Sequence, residues 1–119
     1  LGLHDEIGLI DVSFYRDDFA AKGLHPQVKP TVIPFDVEGR HIILVDDVLY
    51  TGRTVRAALN ELFDYGRPAS VLLATLVDRG GRELPIEAHV VGARLELPEG
   101  SHVQLTGSDP LQLLIQTAP

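Results

Sequence analysis

Two adjacent carboxylates and a glycine-containing turn carry the strongest chemical signal in the chain. Asp46 and Asp47 follow an apolar run, and the Thr-Gly-Arg-Thr segment at 51–54 comes shortly after them. Unpaired carboxylates are costly to bury, so the pair suits vicinal hydroxyls or a divalent metal better than a core position. Two hydroxyls, backbone amides and Gly52 at a helix N-terminus suit a phosphate dianion. The two features together predict a site for a ribose 5-phosphate.

Other interpretations of these residues are weaker. An isolated Asp-Asp pair often only caps a turn, and Gly52 alone often only shapes one. A Walker P-loop is excluded because no Gly-Lys-Ser/Thr follows the glycine, and a Rossmann site is excluded because Gly-x-Gly-x-x-Gly is missing. A phospho-acceptor receiver domain also uses strand-end acids, but it leaves the 51–54 segment unexplained.

The segments around this site have the periodicity of a strand, a helix and a second strand. Residues 41–45 form a β-branched apolar run without alternation, which is typical of a parallel strand covered on both faces. Apolar residues within 55–63 recur at helical spacing, and 71–77 is a second apolar run. Such a βαβ unit places its ligands beyond the carboxyl ends of the strands, just after Val45 and just after Val77.

The rest of the chain predicts shorter elements. A strand is predicted at 10–15, and a flexible loop region at 16–36 contains a short strand near its end. Three further short strands are predicted, at 90–92, 102–105 and 113–116. The predicted fold class is therefore α/β, a parallel β-sheet flanked by helices, in a single domain over 1–119.

Composition limits the function classes. The chain has 119 residues, which is enough for one domain but not for two. The net charge of −7 argues against broad, non-specific nucleic-acid binding, and the absence of cysteine excludes disulfides and thiol chemistry. No apolar run is long enough to cross a bilayer and no leader pattern is present, so we expect a cytoplasmic protein without a membrane partner.

The site segment resembles a known family. Residues 43–54 resemble the phosphoribosyl-pyrophosphate motif of the purine and pyrimidine phosphoribosyltransferases. Over about 8–92 the chain resembles the PyrR family. Members of this family are bifunctional pyrimidine-operon regulators with uracil phosphoribosyltransferase activity. The segments that carry this closer resemblance, besides the motif itself, are 13–18, 33–36, 56–59, 66–69, 76–80 and 82–85. The resemblance implies a type I phosphoribosyltransferase fold, here lacking the family's N-terminal helix and strand.

The resemblance also implies a reaction and roles for residues. Uracil and phosphoribosyl pyrophosphate would give UMP and pyrophosphate, with Mg²⁺ as cofactor. Asp46 and Asp47 would hold the ribose hydroxyls, directly or through the metal, and a loop beginning at Arg16 would close over the site. The base or the metal would lie near Asp78, Arg79, Val90 and Val91. The 5-phosphate would be bound by Val48, Leu49, Tyr50, Thr51, Gly52, Arg53 and Thr54.

Three departures from the family keep alternatives open. Nothing before Gly8 matches the family's pyrophosphate-binding loop, so an inactive core fragment is one alternative. Tyr50 occupies the position where relatives that act on purines carry an acid, and a phenol is a poor proton acceptor at neutral pH. Glu87 and Ala93 interrupt a stretch that is basic in RNA-binding members, which disfavours the other alternative, a UMP-sensing RNA-binding attenuation regulator. The family implies a homo-oligomer, a dimer or larger.

Overall fold

The computed structural model describes residues 7–12, 31–98, 100–106 and 112–116, with the backbone alone for 104–106, 112–114 and 116. Within these ranges the chain forms two sheets and a helix. A three-stranded parallel sheet has the order β1-β2-β3, and a separate antiparallel pair consists of β4 and β5. The elements in chain order are β1 His41–Leu49, α1 Arg53–Phe63, β2 Ser70–Asp78, β3 Val90–Arg94, β4 His102–Thr106 and β5 Gln112–Gln116.

The predicted βαβ unit is confirmed, but its first strand is longer than predicted. β1 does not end at Val45, because the next four residues continue the ladder with β2. Asp46 pairs with Thr75, and Leu49 pairs with Asp78. The two carboxylates of the diacid therefore lie inside the last part of the strand and not after it. The geometry of the site therefore differs from one in which both acids follow the strand.

Helix α1 covers one face of the parallel sheet. Its buried residues are Val55, Ala58 and Leu62, spaced three and four apart on one face of the helix. Val55 forms the core together with Leu49 and Leu73, which are 1% and 5% exposed. Leu44, Leu59, Ile86 and Ala88 pack around this cluster. The core thus lies directly beneath the carboxyl end of β1 and anchors the turn that follows.

The opposite face of the sheet is apolar and open. Ile43 and Val45 on β1 are 62% and 73% exposed, and Leu76 and Val90 are also exposed. Strand alternation and the register place all four on the face away from α1. β1 was predicted to be covered on both faces. Among the described residues, it is covered only on the side of α1.

The remaining predictions concern shorter segments. The three C-terminal strands are confirmed as β3, β4 and β5. A single bridge joins Leu9 to Val32, where a short strand was predicted. Residues 10–12 do not form the predicted strand, and 13–15, Arg16 and the loop over 16–30 lie outside the described residues. In the part of the chain that the structure covers, no helix is long and apolar enough to cross a membrane.

Candidate functional site

The carboxyl ends of β1 and β2 meet at one edge of the sheet. Leu49 and Asp78 are register partners, and the Arg79 amide donates to the Leu49 carbonyl at 3.1 Å. The turn to α1 leaves from β1 at this edge, and a loop over 79–88 leaves from β2. The turn after β1 and the loop after β2 are therefore neighbours in space, as the parallel topology requires, whereas Asp46 lies three positions back from Leu49 within β1.

Asp46 and Asp47 occupy the last part of β1 and are both half-buried. Each carboxylate folds back on the next amide: Asp46 Oδ1 accepts from the Asp47 N–H at 2.8 Å, and Asp47 Oδ1 accepts from the Val48 N–H at 2.7 Å. The alternation of exposed and buried residues along β1 stops at the diacid, since Asp46, Asp47 and Val48 are all half-buried and Leu49 is buried in the core. β1 is an edge strand of the three-stranded sheet, so both carboxylates lie at that edge.

The turn between β1 and α1 has the shape that its glycine predicts. Gly52 is the residue before the helix, with φ 96° and ψ −4°, and both it and Thr51 are buried. The Thr51 hydroxyl accepts from the Arg53 amide at 3.2 Å, and the Gly52 carbonyl accepts the first helical bond from Arg56 at 3.0 Å. The first turn of α1 contains no acidic residue, so its positive dipole end has no local carboxylate. This geometry is suited to an anion.

The loop after β2 packs against this turn from outside. The amides of Glu83 and Leu84 both donate to the Thr51 carbonyl, at 2.9 and 3.1 Å. A Cβ placed on Gly52 would lie 3.3 Å from Ile86 Cβ and 3.4 Å from Leu84 Cβ. Only a glycine satisfies both the positive φ and this close approach.

Asp78 is a buried anchor for this loop. One of its oxygens accepts from the Gly80 amide at 2.9 Å, and the other accepts from Arg82 at 2.6 Å and Arg94 at 2.8 Å. The hydrogen bond from Arg82 is the main reason why the pKa of Asp78 is lowered. The Gly80 amide and the charges of both arginines act in the same direction, while burial opposes them. The carboxylate therefore stays ionised and holds the loop.

Tyr50 is packed between two residues of the loop. The Arg79 guanidinium lies 4.2 Å from the centre of the Tyr50 ring, and it also donates to the Ser101 carbonyl at 2.5 Å. A Cβ on Gly81, whose φ is 76°, would overlap the edge of the same ring. The buried Arg79 thus links Tyr50 to the segment before β4, and the ring serves as a packing wedge at the edge of the site.

Not every residue predicted for the site lies at this edge. Val90 and Val91 pair with Ala74 and Thr75, roughly 10–13 Å back along the sheet from Asp78. Val91 is level with Asp46, which also pairs with Thr75, but it lies on the third strand. The β3 residue that reaches Asp78 is Arg94. Arg53 is exposed and forms an ion pair with Glu83 at 2.8 Å. Arg16 lies outside the described residues.

A metal at this site would depend on Asp46 and Asp47. Among the described residues no cluster of three or more His, Cys, Asp or Glu side chains is arranged around one point. Mg²⁺ commonly binds through one or two carboxylates together with substrate phosphates, and dedicated all-protein cages are unusual for it. The carboxylate pair fits this mode of binding.

Two arginines were not assigned to the edge from sequence. Arg82 follows Asp78 by four positions and pairs with it within the loop after β2. Arg94 is 16 positions from Asp78, and no local pattern joins them. The contact of Arg94 depends on the register between β2 and β3, and that of Arg82 on the path of the loop.

Comparison with known proteins gives a consistent set of relatives. Residues 4–105 match the family described as the phosphoribosyl transferase domain. The chain is 66% identical over 112 residues to the bifunctional protein PyrR of Nitrosococcus oceani, covering 94% of this chain and 63% of that protein. It is 59% identical over 116 residues to the bifunctional protein PyrR of Pseudomonas fluorescens, covering 98% of this chain and 69% of that protein. The chain thus spans about two thirds of the length of these relatives.

A solved structure supports the fold. A hypoxanthine-guanine phosphoribosyltransferase from Bacillus anthracis superposes with a TM-score of 0.50 at 23% identity, covering 58% of this chain and 41% of that one. At this identity the likeness concerns the architecture of the sheet and its flanking helices.

Proposed function

Because the chain belongs to the phosphoribosyl transferase domain family, and within it to the PyrR proteins, we propose that it transfers a phosphoribosyl group to uracil. Uracil and phosphoribosyl pyrophosphate would give UMP and pyrophosphate. The bond from ribose C1 to the pyrophosphate oxygen breaks, the bond from C1 to a uracil nitrogen forms, and the proton of that nitrogen passes to solvent. The chain would act as one domain, in the cytoplasm.

The observation that carries this proposal is the turn at the carboxyl end of β1. Gly52 is held at φ 96° directly before α1, and the first turn of that helix carries no acidic side chain. Of the predicted 48–54 segment, the Val48 and Arg53 amides already donate to Asp47 and Thr51 side chains. The 5-phosphate would be bound by the Thr51 and Gly52 amides, the hydroxyls of Thr51 and Thr54, and the helix dipole. A phosphate bound here would lie only a few residues along the chain from the diacid.

Asp46 and Asp47 would bind the ribose hydroxyls at the β1 edge of the sheet. When bound, Mg²⁺ would neutralise charge on the departing pyrophosphate. The two carboxylates would hold it together with the substrate oxygens. The contribution of the protein is then mainly positioning and electrostatic stabilisation.

Substitution of Asp47 tests the proposal. Asp47→Asn keeps the size of the side chain but removes its charge, so transferase activity should fall roughly 10²–10³-fold while the far-UV circular dichroism is unchanged. Asp64→Asn, at the exposed end of α1, removes the same charge away from the site and should retain full activity. Equal activity of Asp47→Asn and Asp64→Asn would contradict the assignment.

A binding measurement separates an active enzyme from a core that only binds. Calorimetry with phosphoribosyl pyrophosphate and Mg²⁺ should show saturable binding to this chain, abolished by Asp47→Asn. Binding without turnover would favour an inactive core fragment. An absence of binding under conditions where the chain is folded would remove both hypotheses.

Regulation by RNA is the second candidate, since the relatives are called bifunctional PyrR proteins. The charges of the described loop disfavour it here. Arg82 pairs with Asp78 and Glu87, and Arg53 pairs with Glu83, on a chain with a net charge of −7. A gel-shift with pyrimidine-operon leader RNA at low salt, with and without UMP, should show no shifted band. A UMP-dependent complex that weakens steeply with salt would restore this candidate.

We also propose that the chain self-associates. The open face of the sheet exposes Ile43, Val45 and Val90, and apolar faces of parallel sheets are normally covered. A second copy packed on this face would bury them. Light scattering should give a mass of at least two chains, and Val45→Glu should reduce it to one. A monomer at high concentration would exclude this assembly.

A further inference from the structure

Arg82 connects the loop after β2 to the turn after β1. Its side chain is 17% exposed, and each of its three nitrogens donates to an interior acceptor. The Nε atom donates to the Ile86 carbonyl at 2.7 Å, one terminal nitrogen donates to the Tyr50 carbonyl at 2.9 Å, and the other donates to Asp78 at 2.6 Å. All three guanidinium nitrogens are thus bound inside the protein. This arrangement uses the planar fork of an arginine, which a point charge cannot imitate.

The Tyr50 carbonyl belongs to the same peptide unit as the Thr51 N–H, so the direction of one determines the direction of the other. In a trans peptide the C=O and the following N–H point in opposite directions. The Tyr50 carbonyl is held by Arg82, and the Thr51 carbonyl is held by the amides of Glu83 and Leu84. The N–H groups of Thr51 and Gly52 are consequently directed away from the loop. They are two of the amides that would bind the 5-phosphate.

We propose that Arg82 is a positioning residue for the phosphate-binding turn, holding the Tyr50 carbonyl so that the Thr51 and Gly52 amides face the ligand. This inference rests on the proposed function for the identity of the ligand. The contact with Asp78 orients the guanidinium, and the Ile86 carbonyl fixes the far end of the loop. Arg82 acts through the turn and does not touch the substrate.

Arg82→Lys separates positioning from simple ion pairing. An ammonium group can keep the ion pair with Asp78, but it cannot hold the Tyr50 and Ile86 carbonyls at the same time. Calorimetry with ribose 5-phosphate should show affinity at least tenfold weaker for Arg82→Lys, with a thermal midpoint close to that of the unaltered chain. Arg67→Lys, at an exposed position beyond α1, is the matched control and should bind normally. Wild-type affinity in Arg82→Lys would overturn the proposal.

Chemical rescue gives a second test. Arg82→Ala leaves space for a free guanidinium ion, which at non-denaturing concentration should restore part of the lost affinity, while ammonium should not. Arg67→Ala makes the same change in charge without loss of affinity. Equal effects of guanidinium and ammonium on Arg82→Ala would count against a geometric role. If Arg82→Lys and Arg82→Ala both fail to fold, the residue is purely structural and the proposal is wrong.

Amide hydrogen exchange distinguishes failure of this inference from failure of the proposed function. In the ligand-free protein, the Thr51 and Gly52 amides should exchange faster in Arg82→Lys than in Arg67→Lys, because the turn is less restrained. If the unaltered chain does not bind ribose 5-phosphate yet this difference is present, the proposed function fails and Arg82 still orders the turn. Unchanged exchange at both amides would refute the positioning role whatever the ligand.

Discussion

Replacing Gly52 with alanine should weaken the fold and the phosphate site together. With φ 96° and ψ −4°, Gly52 lies where an L-residue costs about 1–2 kcal/mol. The new Cβ would also lie 3.3 Å from Ile86 Cβ and 3.4 Å from Leu84 Cβ, so the loop must move by a few tenths of an ångström. Crowding of this kind adds about 1 kcal/mol. Gly52→Ala should therefore lower the free energy of unfolding by about 2–3 kcal/mol.

Gly39→Ala is the matched control for this variant. Gly39 has φ 73°, and a Cβ there meets nothing within 4 Å, so only the backbone cost of about 1–2 kcal/mol applies. Urea unfolding of both variants measures the two free energies, and their difference of about 1 kcal/mol isolates the crowding against the loop. Calorimetry with ribose 5-phosphate should show loss of binding for Gly52→Ala alone. If Gly52→Ala and Gly39→Ala lose the same free energy of unfolding, and Gly52→Ala still binds ribose 5-phosphate normally, this explanation of the turn is wrong.

Three further outcomes follow from the described contacts. Asp78→Asn should lower the free energy of unfolding by about 2 kcal/mol at pH 7. Because the folded pKa of Asp78 is below its ordinary value of 3.8, this contribution is present above that value and is lost as the pH falls through the folded pKa. Acid titration of stability should therefore be flatter in Asp78→Asn below about pH 4, and parallel curves would contradict the role of Arg82. Leu73→Ala should lower the free energy of unfolding in urea by about 2–5 kcal/mol. Ile43 is 62% exposed, so Ile43→Ala should lower it by less than about 1 kcal/mol. Similar losses for the two variants would show that the core has been assigned to the wrong face of the sheet. Arg53→Gln should change the free energy of unfolding by no more than about 1 kcal/mol, because the ion pair between Arg53 and Glu83 is exposed. A larger loss would show that this pair restrains the turn.

Local patterns were sufficient for the elements that form the site. The apolar runs and the helical spacing between them predicted β1, α1 and β2, because burial periodicity is a short-range property of the chain. The positive φ of Gly52 was predictable in the same way, since a small residue before a helix that follows a parallel strand has few other uses. The end of β1 was not predictable. Charged residues normally end a buried strand, and pairing with β2 extends this one through Asp46 and Asp47 to Leu49.

The sequence by itself determined the chemical groups of the site and their order: a diacid, a glycine turn and a helix N-terminus within one βαβ unit. Only the tertiary structure decided how they are held. Arg82 meets the Tyr50 carbonyl 32 positions away, and Arg94 meets Asp78 across 16. Such contacts depend on the register of parallel strands and on the path of a loop, which are properties of packing and leave no periodic trace in the chain. The register also places Val91 level with Asp46 but two strands away from it, on β3.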